Sequence, residues 1–461
     1  MTEYSLKCQD NHQANCQILL DPKVGTIKVN LICSNKLNSI ENSSIIYICR
    51  LGYIIGVALA MEIMIINGIS AAIMTGIFGT WIYFIGYMIK SLKQSPILES
   101  TNKSTLSKIP KVSVILPARN EEKYIAKCLD SLLNQDYQNF EIIAINDSST
   151  DRTIDIMYQY AMQRRLVVVV NSKPKPDGWA GKNWACYQGY LKATGDVFLF
   201  TDADTTHSRS TLSLAVANLI ELDLDALTAI PKLLCRDIWS KMTLPVLSNF
   251  LHSRFSALRV NNPKTKTGYF FGSFFIITRR TYEAIGTHKI VRHELVEDGA
   301  LGNRVKEAKF RMKMVRGECH IDAIWARDFK TLWDGLRRLM ISIYSQDRNR
   351  ASLMAVAVFF LLFEPFLFFP YSLLMYYTVN DLVSQILMDM NLATIVVIFL
   401  ANAIQSKFGM FQNPLYALTS PLGGALISFC FISSIIDAKK RGAISWRDRK
   451  YTIDGDQHPF N

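Results

Sequence analysis

Long uncharged runs of apolar residues stand at both ends of the chain, and shorter apolar runs stand between them. Near the amino terminus, Ile69–Ile89 holds 21 residues without a charge, close to the roughly 20 that cross a bilayer as a helix. Ile45–Ile66 is also long enough and carries a single charge near each end. Residues 45–89 therefore predict one or two transmembrane helices, with Asn67-Gly68 as the turn between two.

Three further apolar runs follow in the carboxy-terminal part of the chain. They are Leu353–Tyr377, Leu382–Ile404 and Pro414–Ile436, and each is long enough to span a bilayer. The first is interrupted by Glu364-Pro365, which breaks a helix or makes it re-enter the membrane. The pattern predicts a multi-pass protein of the cell membrane.

Three polar stretches separate or flank these runs. Residues 1–44 predict a poorly ordered arm without a clear element, residues 90–111 a linker rich in Ser, Thr and Lys, and residues 437–461 a basic tail. Lys and Arg exceed Asp and Glu by 51 to 39, and the basic residues cluster beside the apolar runs: Lys90, Lys93, Lys103, Lys108, Lys111, Lys439, Lys440 and Arg441. This distribution indicates a cytoplasmic membrane face and argues against a nucleic-acid partner.

The middle of the chain alternates between strand and helix patterns. Short β-branched or aromatic runs predict strands at 112–116, 141–145, 166–170 and 197–200, and runs with helical spacing predict helices at 121–133, 151–163 and 182–193. Such alternation predicts an α/β fold with a mostly parallel sheet covered by helices.

The fourth predicted strand ends in two carboxylates one residue apart, Asp202 and Asp204. Residues at the carboxyl end of such a strand project into the crevice where open α/β sheets bind nucleotides. Two oxygen ligands there suit a divalent cation that bridges two phosphates. The same residue types are also typical of a turn or a helix cap.

Five motifs together carry a resemblance to a known family. They are residues 112–122, 145–153, 178–185, 202–204 and 296–301. In this order they resemble the motifs of family 2 glycosyltransferases. The resemblance implies a GT-A fold over about residues 112–345, which is the Rossmann-like fold of nucleotide-diphospho-sugar transferases. The Trp-Ala-Gly-Lys-Asn-Trp-Ala piece and Trp446–Tyr451 resemble the membrane-bound branch with hopanoid- and carotenoid-type enzymes. In the tail, Asp448 stands where that branch has Gly.

The resemblance implies that one group of residues binds a nucleotide sugar. Its members are Pro117, Ala118, Arg119, Glu121, Asp147, Lys182 and Asp202. The stretch 117–121 would line the base and ribose, Asp147 would accept hydrogen bonds from the base, and Lys182 would reach the nucleotide from the opposite wall. The alternatives are structural, because Asn120 and Glu121 could cap a helix, Asp147 could form an Asx turn, and Lys182 could be solvated.

The resemblance also implies a cofactor and a catalytic base. Asp202 and Asp204 would hold Mg²⁺ or Mn²⁺ against the donor diphosphate. From the pair Glu297-Asp298, Asp298 would be the base that removes the acceptor proton, with inversion at the anomeric carbon. The pair is equally typical of an acidic first turn of a helix.

Processive polysaccharide synthases carry a Gln-x-x-Arg-Trp motif after the catalytic Asp, and Gln346–Arg350 does not satisfy it. We therefore expect the transfer of one sugar from a UDP- or GDP-sugar to a lipid-type acceptor at the cytoplasmic face. A processive synthase and a membrane transporter or scaffold with an inactive GT-A module are the alternatives. Arg236–Val260 and Trp325–Ser345 have the helical spacing of amphipathic interfacial helices, or of helices packed on the sheet.

The tail conflicts with the number of apolar runs. By resemblance the Trp446–Tyr451 motif belongs beside the catalytic site, which requires an even number of crossings after the catalytic domain. Either Leu382–Ile404 does not cross, because Asp389 and Asn391 lie near its middle, or Leu353–Tyr377 breaks at Pro365 into a re-entrant hairpin.

Overall fold

The structure is a computed structural model that describes residues 15–21, 26–32, 39–100, 109–441, 443–446 and 449–452, with side chains at 54–100 and 109–440. The chain forms two compact units. A helical unit comprises Met1–Trp81 with Glu364–Val397, and an α/β unit comprises Ile82–Phe363 with Ile398–Asn461.

The amino-terminal part of the chain differs from the sequence prediction in two ways. Strands β1 (Asn15–Asp21) and β2 (Thr26–Ile32) form an antiparallel pair where the pattern predicts no element. Helix α1 runs without interruption over Ser39–Gln94, about 84 Å at the rise of an α-helix. The turn predicted at Asn67-Gly68 is wrong, because no proline interrupts this stretch and a glycine inside a helix lowers its stability without ending it.

The helical unit also contains α12 (Glu364–Thr378) and most of α13 (Leu382–Ile404). Asn67 of α1 is fully buried, and its amide donates to Ser384 Oγ at 3.1 Å and accepts from Tyr371 Oη at 2.8 Å. Since an unpaired amide is costly in an apolar environment, these bonds explain how a polar residue is accommodated inside an apolar helix.

The α/β unit is built on the mostly parallel sheet that the sequence predicts. Its strand order is β11-β8-β10-β6-β3-β4-β5, and only β10 runs antiparallel to its neighbours. The strands are β3 (Val112–Ala118), β4 (Phe140–Asn146), β5 (Val167–Asn171), β6 (Val197–Phe200), β8 (Ala226–Ile230), β10 (Phe275–Thr278) and β11 (Met312–Arg316). A smaller sheet joins β7 (Thr205–His207), β12 (Ile321–Ala323) and β9 (Lys232–Leu233).

Helices cover both faces of the main sheet because successive strand residues point to opposite sides. Val114 faces the core under α2 (Ile125–Leu133), α3 (Thr153–Gln163) and α5 (Thr211–Glu221). Its neighbour Ile115 faces the core under three other helices, which are α4 (Gly181–Lys192), α8 (Arg279–Ala284) and α9 (Glu297–Glu307). Both faces are therefore apolar, as in other sheets with helices on both sides.

A group of five further helices belongs to the same unit. It consists of α6 (Ile238–Phe255), the short α7 (Ala257–Val260), α10 (Phe329–Gln346), α11 (Arg348–Leu362) and α14 (Ser420–Arg441), and α14 packs against α6, α10 and α11. A Cβ added at Gly423 would lie 2.4 Å from the Met242 carbonyl oxygen of α6. The absence of a side chain there lets the two backbones approach closely.

The two helices with interfacial spacing differ from each other. In α10 the buried residues include Leu332, Leu336 and Met340 and follow one stripe, as in an amphipathic helix. In α6 every residue from Met242 to Asn249 is buried. The prediction of an amphipathic α6 is therefore wrong, because opposite faces of this helix are both buried.

Within the described residues, three helical stretches are long and apolar enough to cross a membrane, Ile54–Gln94, Leu382–Gly409 and Pro414–Lys440. The pair α11 and α12, broken at Phe363, would make a fourth if counted as one bent span. This break lies one residue before the predicted Glu364-Pro365 interruption. Strands β13 (Ala443–Trp446) and β14 (Arg449–Thr452) pair in the tail.

Candidate active site

All ten residues predicted to bind or react line one cavity of about 700 Å³ in the α/β unit. They are Pro117, Ala118, Arg119, Glu121, Asp147, Lys182, Asp202, Asp204, Glu297 and Asp298. Most follow or end the parallel strands β3, β4 and β6, so the topology alone brings distant stretches of sequence to one edge of the sheet.

The ends of β3 and β4 are joined by backbone contacts. The Arg119 guanidinium donates to the carbonyl oxygens of Asp147 at 2.8 Å and Ser148 at 3.1 Å, and the Asp147 amide donates to Ala118. An Asx-type bond is made one residue earlier, where the Asn146 side chain accepts from the Ser149 amide. Arg119 therefore holds two loops together beside the buried carboxyl of Asp147.

The helix caps considered for the β3 end are absent. Helix α2 begins only at Ile125, and no side chain caps it. The Asn120 side chain accepts from the Thr150 amide, and Glu121 is buried in an ion pair. These two residues thus stabilise the cavity wall and leave α2 uncapped.

Lys182 connects the two acidic motifs. Its ammonium lies 2.7 Å from Asp202 Oδ1 and 2.7 Å from Glu297 Oε1, so it is not a solvated surface lysine. Burial alone would lower the pKa of Lys182, but the carboxylates of Asp202, Glu297 and Asp298 raise it well above its usual value. A fixed positive charge therefore sits between the strand-end aspartate and the start of α9.

Asp298 lies in the first turn of α9 and is held at both oxygens. Its Oδ2 accepts from the Gly272 amide at 2.7 Å, and its Oδ1 accepts from the Gly299 amide at 2.8 Å. Burial and the neighbouring Glu297 carboxylate raise the pKa of Asp298 to about 6, although Lys182 and Arg338 oppose this shift. A carboxylate with a pKa near neutral is suited to act as a general base.

Gly272 packs directly on this cluster. A Cβ added there would lie 2.7 Å from Asp298 Oδ2 and 3.0 Å from Lys182 Nζ. The stretch after Tyr269 therefore approaches the carboxylates with its backbone, and any side chain at Gly272 would displace them.

The sequence reasoning missed Arg327. Its guanidinium forms ion pairs with Glu121 and with Asp204 Oδ2, the latter at 2.8 Å. Burial opposes its charge, but Glu121 and Asp204 raise the pKa of Arg327 above its usual value. The available signal was the capping box of Asp328 and Thr331, which starts α10 and places Arg327 immediately before it.

Asp202 and Asp204 carry the type of oxygen ligand that a divalent metal prefers. Both carboxylates line the cavity with only Ala203 between them, and carboxylate oxygens are the ligands that Mg²⁺ and Mn²⁺ prefer. Among the residues that the structure describes, no group of three or more His, Cys, Asp or Glu side chains forms a closed metal site. Mg²⁺ is commonly bound by one or two carboxylates, while phosphate and water occupy its other coordination positions. Two carboxylates at this site fit that pattern.

Comparison with known proteins agrees with this geometry. The glycosyl transferase family 2 profile matches residues 113–286. A 4,4'-diaponeurosporenoate glycosyltransferase of Staphylococcus aureus is 24% identical over 360 residues, covering 75% of this chain and 89% of its own.

A solved structure shares the fold. The mannosyltransferase of Pyrobaculum calidifontis, in complex with GDP-Man and Mn²⁺, superposes with a TM-score of 0.50 and 17% identity. The match covers 81% of this chain and 99% of that one. The sequence motifs, the family profile and the sheet topology agree: residues 113–286 form a family 2 glycosyltransferase domain, and the α/β unit has the GT-A fold.

Proposed function

We propose that this glycosyltransferase transfers a single sugar, with inversion and with the aid of a divalent metal, from a nucleotide-sugar donor to a lipid-type acceptor. The observation that carries the proposal is the cluster of Lys182, Asp202, Glu297 and Asp298 within one cavity. It combines a donor-binding wall with a carboxylate suited to activate an acceptor.

The donor, a UDP- or GDP-sugar, occupies the strand-end half of the cavity. The cavity volume of about 700 Å³ lies within the usual range for small-molecule and cofactor sites. Asp147 and the end of β3 bind the base and ribose, and Lys182 lies near the diphosphate. Mg²⁺ or Mn²⁺, held by Asp202 and Asp204, would neutralise charge on the departing diphosphate.

Asp298 acts as the general base. It accepts the acceptor's proton while the acceptor oxygen forms a bond to the anomeric carbon, and the bond from that carbon to the diphosphate oxygen breaks. The two amide donors hold its carboxylate in place. Lys182 neutralises part of the Glu297 charge, which allows Asp298 to ionise near neutral pH.

The acceptor is a lipid, by similarity to the relative that acts on a diaponeurosporenoate, a carotenoid-type compound. Apolar residues of α6 and of the segment after β8 line another part of the cavity, including Leu244, Leu247, Leu251 and Leu233. A single transfer is favoured because the motif of processive synthases is absent from Gln346–Arg350.

The proposal is tested by incubating membranes that contain the protein with a panel of UDP- and GDP-sugars and analysing the lipids by mass spectrometry. We expect one lipid species to gain the mass of one sugar residue, and membranes with Asp298→Asn to lack this product. A polymer, or donor hydrolysis without any lipid product, would refute the proposal.

We also propose that the catalytic domain and the tail face the cytoplasm. The Lys-rich linker supports the first part. For the tail, α13 and α14 would cross the membrane while α11 and α12, broken at Phe363, would re-enter it.

Ser445→Cys in sealed cells tests the position of the tail, with the wild type as the control for its nine native cysteines. We expect a membrane-impermeant thiol reagent to add no label to the variant until the cells are opened. Extra labelling of intact cells would place the tail outside.

A further inference from the structure

Helix α6 presents two opposite apolar faces. At 3.6 residues per turn, Leu244, Leu247 and Leu251 share one face, and all three line the main cavity. Met242 and Val246 lie on the opposite face and are buried, where Gly423 of α14 approaches the Met242 carbonyl oxygen and the Val246 side chain. The helix therefore stands between the cavity and α14, which is apolar and long enough to cross a membrane.

A second, smaller cavity of about 50 Å³ lies beside the main one in the same unit. Five residues line both cavities and form the partition between them: Pro231, Leu233, Ser248, Leu251 and Phe271. None of these side chains is charged, and four of the five are largely hydrocarbon. Rotamer changes of Leu233, Leu251 and Phe271 would widen the connection between the two spaces.

The second cavity carries no unbalanced charge near α6. Its one acidic and one basic residue pair with each other, since Arg316 Nε lies 2.5 Å from Glu318 Oε1. Burial, together with the nearby Arg316 charge, lowers the pKa of His252 to about 4, so this imidazole is neutral at physiological pH. Such a lining accommodates a hydrocarbon chain without leaving a buried charge uncompensated.

We propose that this face of α6 forms a passage for the hydrocarbon chain of the acceptor, running from the second cavity past Leu251 and Phe271 toward Asp298. The inference rests on the proposed function, which requires a lipid to bring its reacting oxygen to that carboxylate. Leu251 and Phe271 are the residues that determine which chains pass.

The experiment uses the full chain in lipid nanodiscs and a fatty acid with a photoreactive diazirine in its chain. After irradiation, mass spectrometry locates the label. In the wild type we expect label on the α6 peptide. We expect Leu251→Trp to reduce the amount of this label about tenfold, because the fatty-acid chain loses contacts with about two methylene groups. Binding of the nucleotide donor, measured on the same preparation, shows that the variant is folded.

Phe250→Trp is the matched control. Phe250 is the neighbouring residue in α6, lines neither cavity and packs on Phe84 with ring centroids 5.2 Å apart. We expect this variant to be labelled like the wild type. A second variant, Leu251→Ala, widens the partition and should raise the labelling by bulky branched chains.

Equal labelling of Leu251→Trp and Phe250→Trp, or a wild type without label on α6, would overturn the passage. The transfer assay distinguishes this result from a failure of the proposed function. If the wild type is labelled at α6 but glycosylates no lipid, the lipid-transfer proposal fails; if transfer proceeds and Leu251→Trp leaves its acceptor KM unchanged, the passage fails.

Discussion

Two walls of the main cavity are stabilised by different forces. At the strand ends, Lys182 contacts Asp202 and Glu297, each at 2.7 Å, and two backbone amides hold Asp298. On the α6 wall, leucines at helical spacing face the same space without a charged group among them. One wall depends on paired charges, and the other depends on apolar packing.

This difference determines how each wall responds to change. A buried charge that loses its partner is costly, because the remaining group keeps its desolvation penalty. Apolar contacts are non-directional and individually weak, so their loss is gradual. We therefore expect single substitutions at the charged wall to lower the transfer rate strongly. Substitutions behind the apolar wall should lower the transfer rate only moderately.

The largest effect is expected from removal of the proposed metal ligands. Asp204→Ala should lose donor binding and turnover together, lowering kcat/KM by at least about 10⁴-fold, because the metal contributes to both. EDTA should have the same effect on the wild type. Donor titration and initial rates measure it, with exposed Asp177→Ala as the control. Full activity in EDTA would exclude a metal role.

Replacement of Asp298, the proposed base, should separate donor binding from the chemical step. Asp298→Asn keeps the shape of the side chain but removes its proton acceptor, so the rate should fall about 10²- to 10⁴-fold while the donor Kd stays nearly the same. Single-turnover rates and donor titration measure the two quantities. Asp155→Asn, at an exposed position of α3, is the control. Transfer at the wild-type rate would mean that another residue is the base.

The pH dependence should report the same carboxyl group. Since the pKa of Asp298 is raised to about 6 and the base must be ionised, kcat/KM should level off above that pH and fall about tenfold per unit below it. Initial rates in overlapping buffers measure the profile, and the residual activity of Asp298→Asn should lack this dependence. A wild-type profile that is flat through pH 6 would contradict the assignment.

The smallest effect is expected behind the apolar wall. Gly423→Ala places a Cβ 2.4 Å from the Met242 carbonyl oxygen, so α6 must shift, at a cost of about 1 to 3 kcal/mol in stability. The midpoint of thermal unfolding in detergent should fall by several degrees, and transfer should change less than about tenfold. Gly86→Ala, with open space around its Cβ, should leave transfer unchanged and should not lower the midpoint. A complete loss of transfer in folded Gly423→Ala would show that the two walls do not differ in their tolerance to substitution.

The charged wall could be predicted largely from the sequence, and the apolar wall could not. Asp202, Lys182 and Asp298 lie in short motifs next to strands or at the first turn of helices, and such positions converge at one edge of a parallel sheet. Arg327 belongs to no such motif, and its pairing with Glu121 and Asp204 depends on where α10 begins. The two faces of α6 were missed because its polar positions Thr243, Ser248 and Asn249 are buried together with its apolar ones, so the amphipathic spacing did not correspond to an exposed face.

By itself the sequence determined the α/β alternation, the strand Val197–Phe200 that delivers Asp202, and the apolar stretches long enough to span a membrane. These features follow from local periodicity and from the length of uncharged runs. The tertiary structure decided that α1 continues through Asn67, where side chains distant in sequence satisfy the buried amide. It also decided that Arg327 and α6 border the cavity, because such contacts depend on packing between elements far apart in the chain.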